Sequence, residues 1–526
     1  MKFLGVLLFL GLIAQPVLAK KTLVYCAESV ARKLNPQQVN DAGSIISIGY
    51  TIYDQLVTIN SDTLKVEPHV AKSWSISKDG KQYTFDLRNY VKFHSNKSFK
   101  PTRTLNADDV IFSFERQWKK DHPFYEVGGG TYFLFIGLEF HKLLKKVEKL
   151  GEHKVRFTLN SRNAGFLRYL AMYFAAIQSA EYADFLAKKN MKAKIDKEPI
   201  GSGPFVFKTY KKDRILRLTK FEDYFKGATP VDQLVYTASP ESSVRYQKIR
   251  NKDCHISISP PANAVAKIRN SKELELHTNK GLNIAYLALN LQKPALKNLK
   301  VRKAIAHALN RDAYIKAIYL GEGSVANHPV PPRLFGYPKG LPGHKYDPEL
   351  SKKLLKEAGL EKGLKIKLWT LPIVRHYNPN GKRMGEMMQA DLKKVGIDAQ
   401  LVSYEWGTYL DKSDKGEHEV AQIGWAAASG DPDEFVGTLF SCDSIESGLN
   451  MSRYCDKTLD KLIKKAKAES NPKKRAKLYF DAQKRIRDQV LWIPIAHGNE
   501  HRVIRKEVKN YKLHSLKGEY LYGVDL

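Results

Sequence analysis

The sequence predicts an α/β chain with mixed sheets, divided into two or three lobes, and three observations carry that prediction. Strand and helix patterns alternate along its whole length. A chain of 526 residues is too long for one hydrophobic core. Its four cysteines, Cys26, Cys254, Cys442 and Cys455, have no CxxC spacing and read as two disulfides in an exported protein. Cys442 and Cys455 close a short loop, which leaves Cys26 to pair with Cys254. Such a bond brings the start of the chain beside a segment far downstream, so the first lobe is discontinuous in sequence.

The elements follow in order. Lys2, the apolar run 3–13, Pro16 and the small-residue end Val17-Leu18-Ala19 form a secretory signal peptide, cut after Ala19. The run is too short for a membrane span, and no other stretch approaches one. Tyr83, Phe85 and Leu87 alternate with polar residues, as do Val155, Phe157 and Leu159, and Leu364, Ile366 and Leu368; each set marks a half-buried strand. Asn106 caps a helix whose first turn holds Asp108 and Asp109, carboxylates suited to the positive end of the helix dipole. Gly128-Gly129-Gly130 is a turn. Val301, Ile305, Ala308, Leu309, Ile315 and Ile318 read as a core-facing helix, with Asn310-Arg311 a candidate interruption and Gly321 the stop. Asp347-Pro348 opens a helix that ends at Gly359, and Asn471-Pro472 opens a longer one through Leu478, Ala482 and Ile486.

The formal charge is +32. A field of that sign steers anions and raises the question of nucleic acid. The lysines are scattered, however, with neither an arginine-rich arm nor an aromatic-basic RNA signature, so the charge reads as a solvated surface and nucleic acid is excluded as a partner.

Specific motifs then appear in a fixed order: Ala71-Lys72-Ser73-Trp74, Asp79-Gly80-Lys81, Tyr83-Thr84-Phe85-Asp86-Leu87-Arg88, Asn106-Ala107-Asp108-Asp109-Val110, Pro199-Ile200-Gly201-Ser202-Gly203-Pro204-Phe205, Lys300-Val301-Arg302-Lys303-Ala304 and Gly430-Asp431-Pro432-Asp433. Through them essentially the whole mature chain resembles solute-binding protein family 5 of ABC transporters, the peptide, oligopeptide and nickel class. The likeness is strongest to its dipeptide-binding members, with haem-binding and antimicrobial-peptide-sensing relatives nearby. The resemblance implies a class II periplasmic binding-protein fold, with two lobes, an inserted domain and a hinge. It implies a discontinuous domain Ia of residues 20–52, 203–280 and 499–526, an inserted domain Ib of residues 53–202, and a domain II of residues 281–498. It supplies both cystine pairings given above. It also implies a monomer that captures a small peptide or haem-like ligand in the periplasm for an ABC permease of the inner membrane, with no cofactor.

A free peptide has two charged ends, and burying either one unpaired costs several kcal/mol. Arg375, within Val374-Arg375-His376-Tyr377, falls where the resemblance puts the arginine for the ligand carboxylate, and a planar guanidinium suits that task. The aspartate that family members set against the ammonium, three residues after the tryptophan of a Gly-Trp pair, is here Ala428, although Gly424-Trp425 and Gly430-Asp431-Pro432 keep their spacing. Asp431 and Asp433 are the candidate substitutes, or else they cap a loop or helix. Trp406, Tyr377 and Trp425 match pocket-lining positions, where aromatic walls bind varied side chains by area. Gly43 and Ser44 are expected to face the ligand from the first domain, Gly43 by close backbone approach.

Rival readings are fewer. His497-Gly498-Asn499-Glu500-His501 has the HxxEH spacing of a zinc peptidase. That chemistry needs both histidines on one helix face, whereas Gly498 and Asn499 are poor helix formers and residues 491–496 read as a strand. No GxSxG elbow or Walker loop is present. A haem carrier, using Arg375 for a propionate and the space at Ala426-Ala427-Ala428, fits the missing aspartate as well as a peptide with a blocked or extended N-terminus does.

Overall fold

The computed structural model describes residues 20–39, 41–516 and 518–526. The signal-peptide expectation lies outside them. Among the described residues no helix is long and apolar enough to cross a membrane.

The alternating patterns become strands at the expected places: Gln82–Leu87, Lys154–Leu159 and Leu364–Trp369. Asn106 caps the helix Ala107–Trp118 in a capping box closed by Asp109. The pattern 301–318 is divided. Helix Leu299–Ala308 stops, the Asn310 side chain accepts the Ala313 N–H, and a second helix, Arg311–Ile318, begins. An asparagine competes for backbone hydrogen bonds within a helix but satisfies orphan N–H groups at its start. Helices Pro348–Glu357 and Pro472–Gln489 begin at their Asp-Pro and Asn-Pro signals.

The strands form two main bodies joined by one long strand, Trp492–Arg505. In the first body, Thr22–Ala27 pairs in parallel with Gln233–Ala238 and Ile256–Ile258. In the second, Leu364–Trp369 pairs in parallel with Ile397–Val402 and Val420–Ala426. The long strand pairs through residues 492–498 with the second body and through 499–505 with the first. A separate four-stranded sheet comprises Ala71–Ile76, Gln82–Leu87, Leu144–Gly151 and Lys154–Leu159. The bonds Cys26–Cys254 and Cys442–Cys455 are both present, with Cα separations of 5.9 and 4.6 Å.

The crossover between bodies is narrow. Asn283, fully buried, donates to the Gly498 carbonyl at 2.8 Å and accepts the Gly498 N–H at 2.9 Å. A Cβ on Gly498 would strike the His376 carbonyl. Residues 162–169 then bring the four-stranded-sheet segment onto the second body: the Ala164 N–H donates to Lys467 O at 2.8 Å, and Arg162 donates to the Ser470 hydroxyl at 2.6 Å.

Burial holds the imidazoles of His94, His344, His418 and His497 at pKa values of about 4, against an ordinary 6.5. Between those limits the unfolded chain binds more protons than the folded one, so acid shifts the balance toward unfolding. Melting temperature is therefore expected to fall as pH drops from 6.5 to 4. Circular dichroism melts across that window check this, and a melting temperature unchanged down to pH 4 contradicts it.

Candidate ligand-binding site

In open α/β sheets the carboxyl ends of parallel strands leave backbone groups and loops free to meet a ligand. Here those ends supply the site residues. Arg375 follows Leu364–Trp369, Trp406 follows Ile397–Val402, and Trp425 and Ala428 lie at and just past the end of Val420–Ala426. Across from them, Glu28 directly follows Thr22–Ala27.

The Arg375 guanidinium, one-third exposed, donates to Val374 O at 3.2 Å. It lies 5.9 Å from the Trp406 ring centre, a cation–π arrangement. Its Nη1 is 3.8 Å from Glu28 Oε1, and that carboxylate is half exposed. Trp406 stacks on Tyr409, ring centres 5.7 Å apart. Tyr377 is buried, which pushes its hydroxyl pKa up, while the adjacent guanidinium pulls it back. Its ring packs against Gly424: a Cβ there would collide with the Tyr377 ring and the Ile284 carbonyl. Gly424→Val is accordingly expected to expel Tyr377 from its seat and destabilise the second body by ~1–3 kcal/mol. Urea unfolding checks this, and an unchanged midpoint contradicts it.

Trp425 is half-buried, and its indole N–H has no hydrogen-bond partner among the described residues. A buried donor left unpaired costs about 1–3 kcal/mol. The Ala428 N–H donates to Glu434 at 3.0 Å, and the Ser429 N–H donates to the same carboxylate at 3.0 Å. Glu434 is 4% exposed. A buried carboxylate thus underlies the segment that lacks the aspartate.

Asp431 has a different occupation. Fully buried, it takes two bonds from Arg475, at 2.8 and 2.9 Å, and accepts the Asp433 N–H at 2.9 Å. Asp433 is reached by Lys467 at 3.5 Å and by the hydroxyls of Tyr169 and Tyr479 at 3.4 Å. Both carboxylates are occupied within the fold: Asp431 by Arg475 and by the Asp433 N–H at the start of a helix, as the capping alternative expects, and Asp433 by Lys467 and the two tyrosine hydroxyls rather than as a cap. Gly43 and Ser44 are likewise internal. Gly43 is buried where any Cβ would strike Ser29, and the Ser44 hydroxyl donates to Asp41 at 2.7 Å while accepting the Arg32 N–H. The close approach Gly43 permits is to its own chain, and the neighbouring Ala42 is exposed.

The HxxEH residues lie on the long extended strand, as residues 491–496 suggested. The three side chains diverge to separate partners. His497 bonds Asn283 O, Glu500 lies 3.4 Å from His376, and His501 bonds Thr278 at 2.9 Å. Among the described residues no group of three or more metal-ligating side chains comes together.

Glu28 and Glu434 were missed by sequence reasoning. Glu434 carries no motif. Glu28 had one available signal, its place immediately after a parallel strand.

Two bodies joined by a narrow crossover, with facing residues at the carboxyl ends of their parallel strands, define a two-lobed binding protein of the class II periplasmic type. The family model for bacterial extracellular solute-binding proteins, family 5 Middle, matches residues 65–447, and the chain belongs to that family. A dipeptide-binding protein of Escherichia coli (strain K12) is 43% identical over 520 residues, covering 98% of this chain and 97% of that protein. Heme-binding protein A of Haemophilus influenzae is 39% identical over 508 residues, covering 97% and 93%. The crystal structure of a dipeptide binding protein from Pseudoalteromonas sp. SM9913, in complex with Met-Leu, superposes with a TM-score of 0.87 at 36% identity, covering 96% of this chain and 100% of that one.

Proposed function

We propose that this protein captures short peptides between its two lobes in the periplasm, after removal of residues 1–19, and delivers them to an ABC permease of the inner membrane as a monomer without a cofactor. The observation that carries the reading is Arg375, a guanidinium between Trp406 and Tyr377 at the carboxyl edge of the second sheet. Its fork takes the ligand carboxylate. The two tryptophans, each half-buried, give area to side chains of varied shape. The domain division 20–52, 203–280 and 499–526; 53–202; and 281–498 accords with the pairing of the long strand, which changes partners at residues 498–499. The hinge then lies where Asn283 bonds Gly498.

With Ala428 in place of the aspartate, the ligand ammonium has no dedicated carboxylate at that position. Titration calorimetry with alanyl-phenylalanine and its N-acetyl form should give affinities within about tenfold of each other. A preference for the free amine of 10³-fold or more would overturn this part of the reading. Ala428→Asp should raise the preference for the free amine by about 10-fold or more.

A second reading, haem capture, is favoured by the same absence of an acidic anchor and by the 39% identity to heme-binding protein A. It uses Arg375 for a propionate and the tryptophans for the ring. A Soret-band titration with hemin separates the two: saturable one-to-one binding supports haem, and its absence supports peptide.

A further inference from the structure

Arg375 already has an anion within reach, and it comes from the opposite body. Glu28 Oε1 stands 3.8 Å from Nη1. Glu28 is fixed in the chain by the end of strand Thr22–Ala27, two residues beyond the Cys26–Cys254 bond, while its side chain is half exposed. Arg245, whose guanidinium is bonded to the carbonyls of Ser239, Pro240, Ile258 and Ser259, also feels the Glu28 charge. A carboxylate leaving Arg375 therefore still has a positive neighbour.

We propose that Glu28 is a built-in stand-in for the ligand carboxylate: it holds Arg375 across the gap in the empty protein, yields when a ligand carboxylate arrives, and then disfavours ligands bearing a second negative charge beside that end. This rests on the assignment of Arg375 to the ligand carboxylate. It adds a specificity-determining residue, and it names the favoured class as peptides whose C-terminal residue is neutral or basic. Two unit charges 4 Å apart in water interact by about 1 kcal/mol, equal to about fivefold in affinity. An exposed ion pair that must be broken on binding costs a similar or smaller amount.

The test is calorimetry on the full mature protein with alanyl-phenylalanine, its C-terminal amide, alanyl-lysine and alanyl-glutamate, comparing wild type with Glu28→Gln and Glu28→Ala. Both variants should bind alanyl-phenylalanine about two- to fivefold more tightly and leave the amide unchanged. The wild-type preference for alanyl-lysine over alanyl-glutamate should shrink by about fivefold. A structural role alone would not move that ratio. If wild type distinguishes the free dipeptide from its amide but neither variant gains affinity or loses the lysine preference, the role of Glu28 is overturned and the Arg375 assignment stands. If wild type binds dipeptide and amide equally, the Arg375 assignment falls and this inference falls with it.

Discussion

Arg375→Met should lower affinity for a free dipeptide by about 10²- to 10³-fold while leaving the protein folded. In this structure the guanidinium is one-third exposed, bonded to a neighbouring carbonyl and 3.8 Å from Glu28, an arrangement that contributes little to stability. Once the lobes enclose a ligand, water is excluded and the guanidinium becomes the partner of a buried carboxylate. Removing one member of such a pair costs about 3–5 kcal/mol, because the other charge is left desolvated. Methionine preserves most of the packing against Trp406, so the loss reports on charge. Calorimetry measures it, and a change below tenfold would show that the ligand's negative end is held elsewhere.

The largest effect on stability is expected deeper in the second body. Asp431 and Arg475 form a doubly bonded pair, with the aspartate fully buried and the arginine side chain 6% exposed. Arg475 also bonds the Ala466 carbonyl, so it ties the loop after strand Val420–Ala426 to the helices Lys457–Ala468 and Pro472–Gln489. Burial and the nearby Asp431 push the Asp433 pKa up, while Lys467 opposes the shift. Arg475→Met strands two aspartates in one buried site and should destabilise this body by ~3–5 kcal/mol. The double variant Asp431→Leu with Arg475→Met should recover only part, because Asp431 also accepts the Asp433 N–H. Urea unfolding monitored by tryptophan fluorescence reads both. A single variant with an unshifted midpoint would contradict the role assigned to the pair.

The parts legible in the sequence share a property: their signals are local. Tyr83, Phe85 and Leu87 alternate because one face of their strand is buried. Asn106 and Asp109 close a capping box within four residues. The two cystines followed from counting cysteines in an exported chain. Asn310 was visible as a weak point, and only its competition with the backbone decided that it starts a second helix. The residues that escaped depend on contacts between distant segments. Glu28 and Arg375 are 347 positions apart and meet only because two sheets present their carboxyl ends to each other. Glu434 looks like any acidic residue in a first helical turn until its bonds to Ala428 and Ser429 are seen. Gly43 was assigned to the ligand because glycine permits close approach, yet the approaching group is Ser29. Composition cannot say which neighbour a glycine accommodates.

Capture depends most on a guanidinium gripping a negatively charged terminus between two closing lobes. The most direct measurement is a crystal structure of the mature protein grown with alanyl-phenylalanine. Electron density for the peptide is expected between the bodies, its carboxylate within hydrogen-bond distance of both Arg375 amino groups and Glu28 turned away. A bound peptide whose carboxylate lies elsewhere, with Arg375 pointing to bulk water, would contradict it.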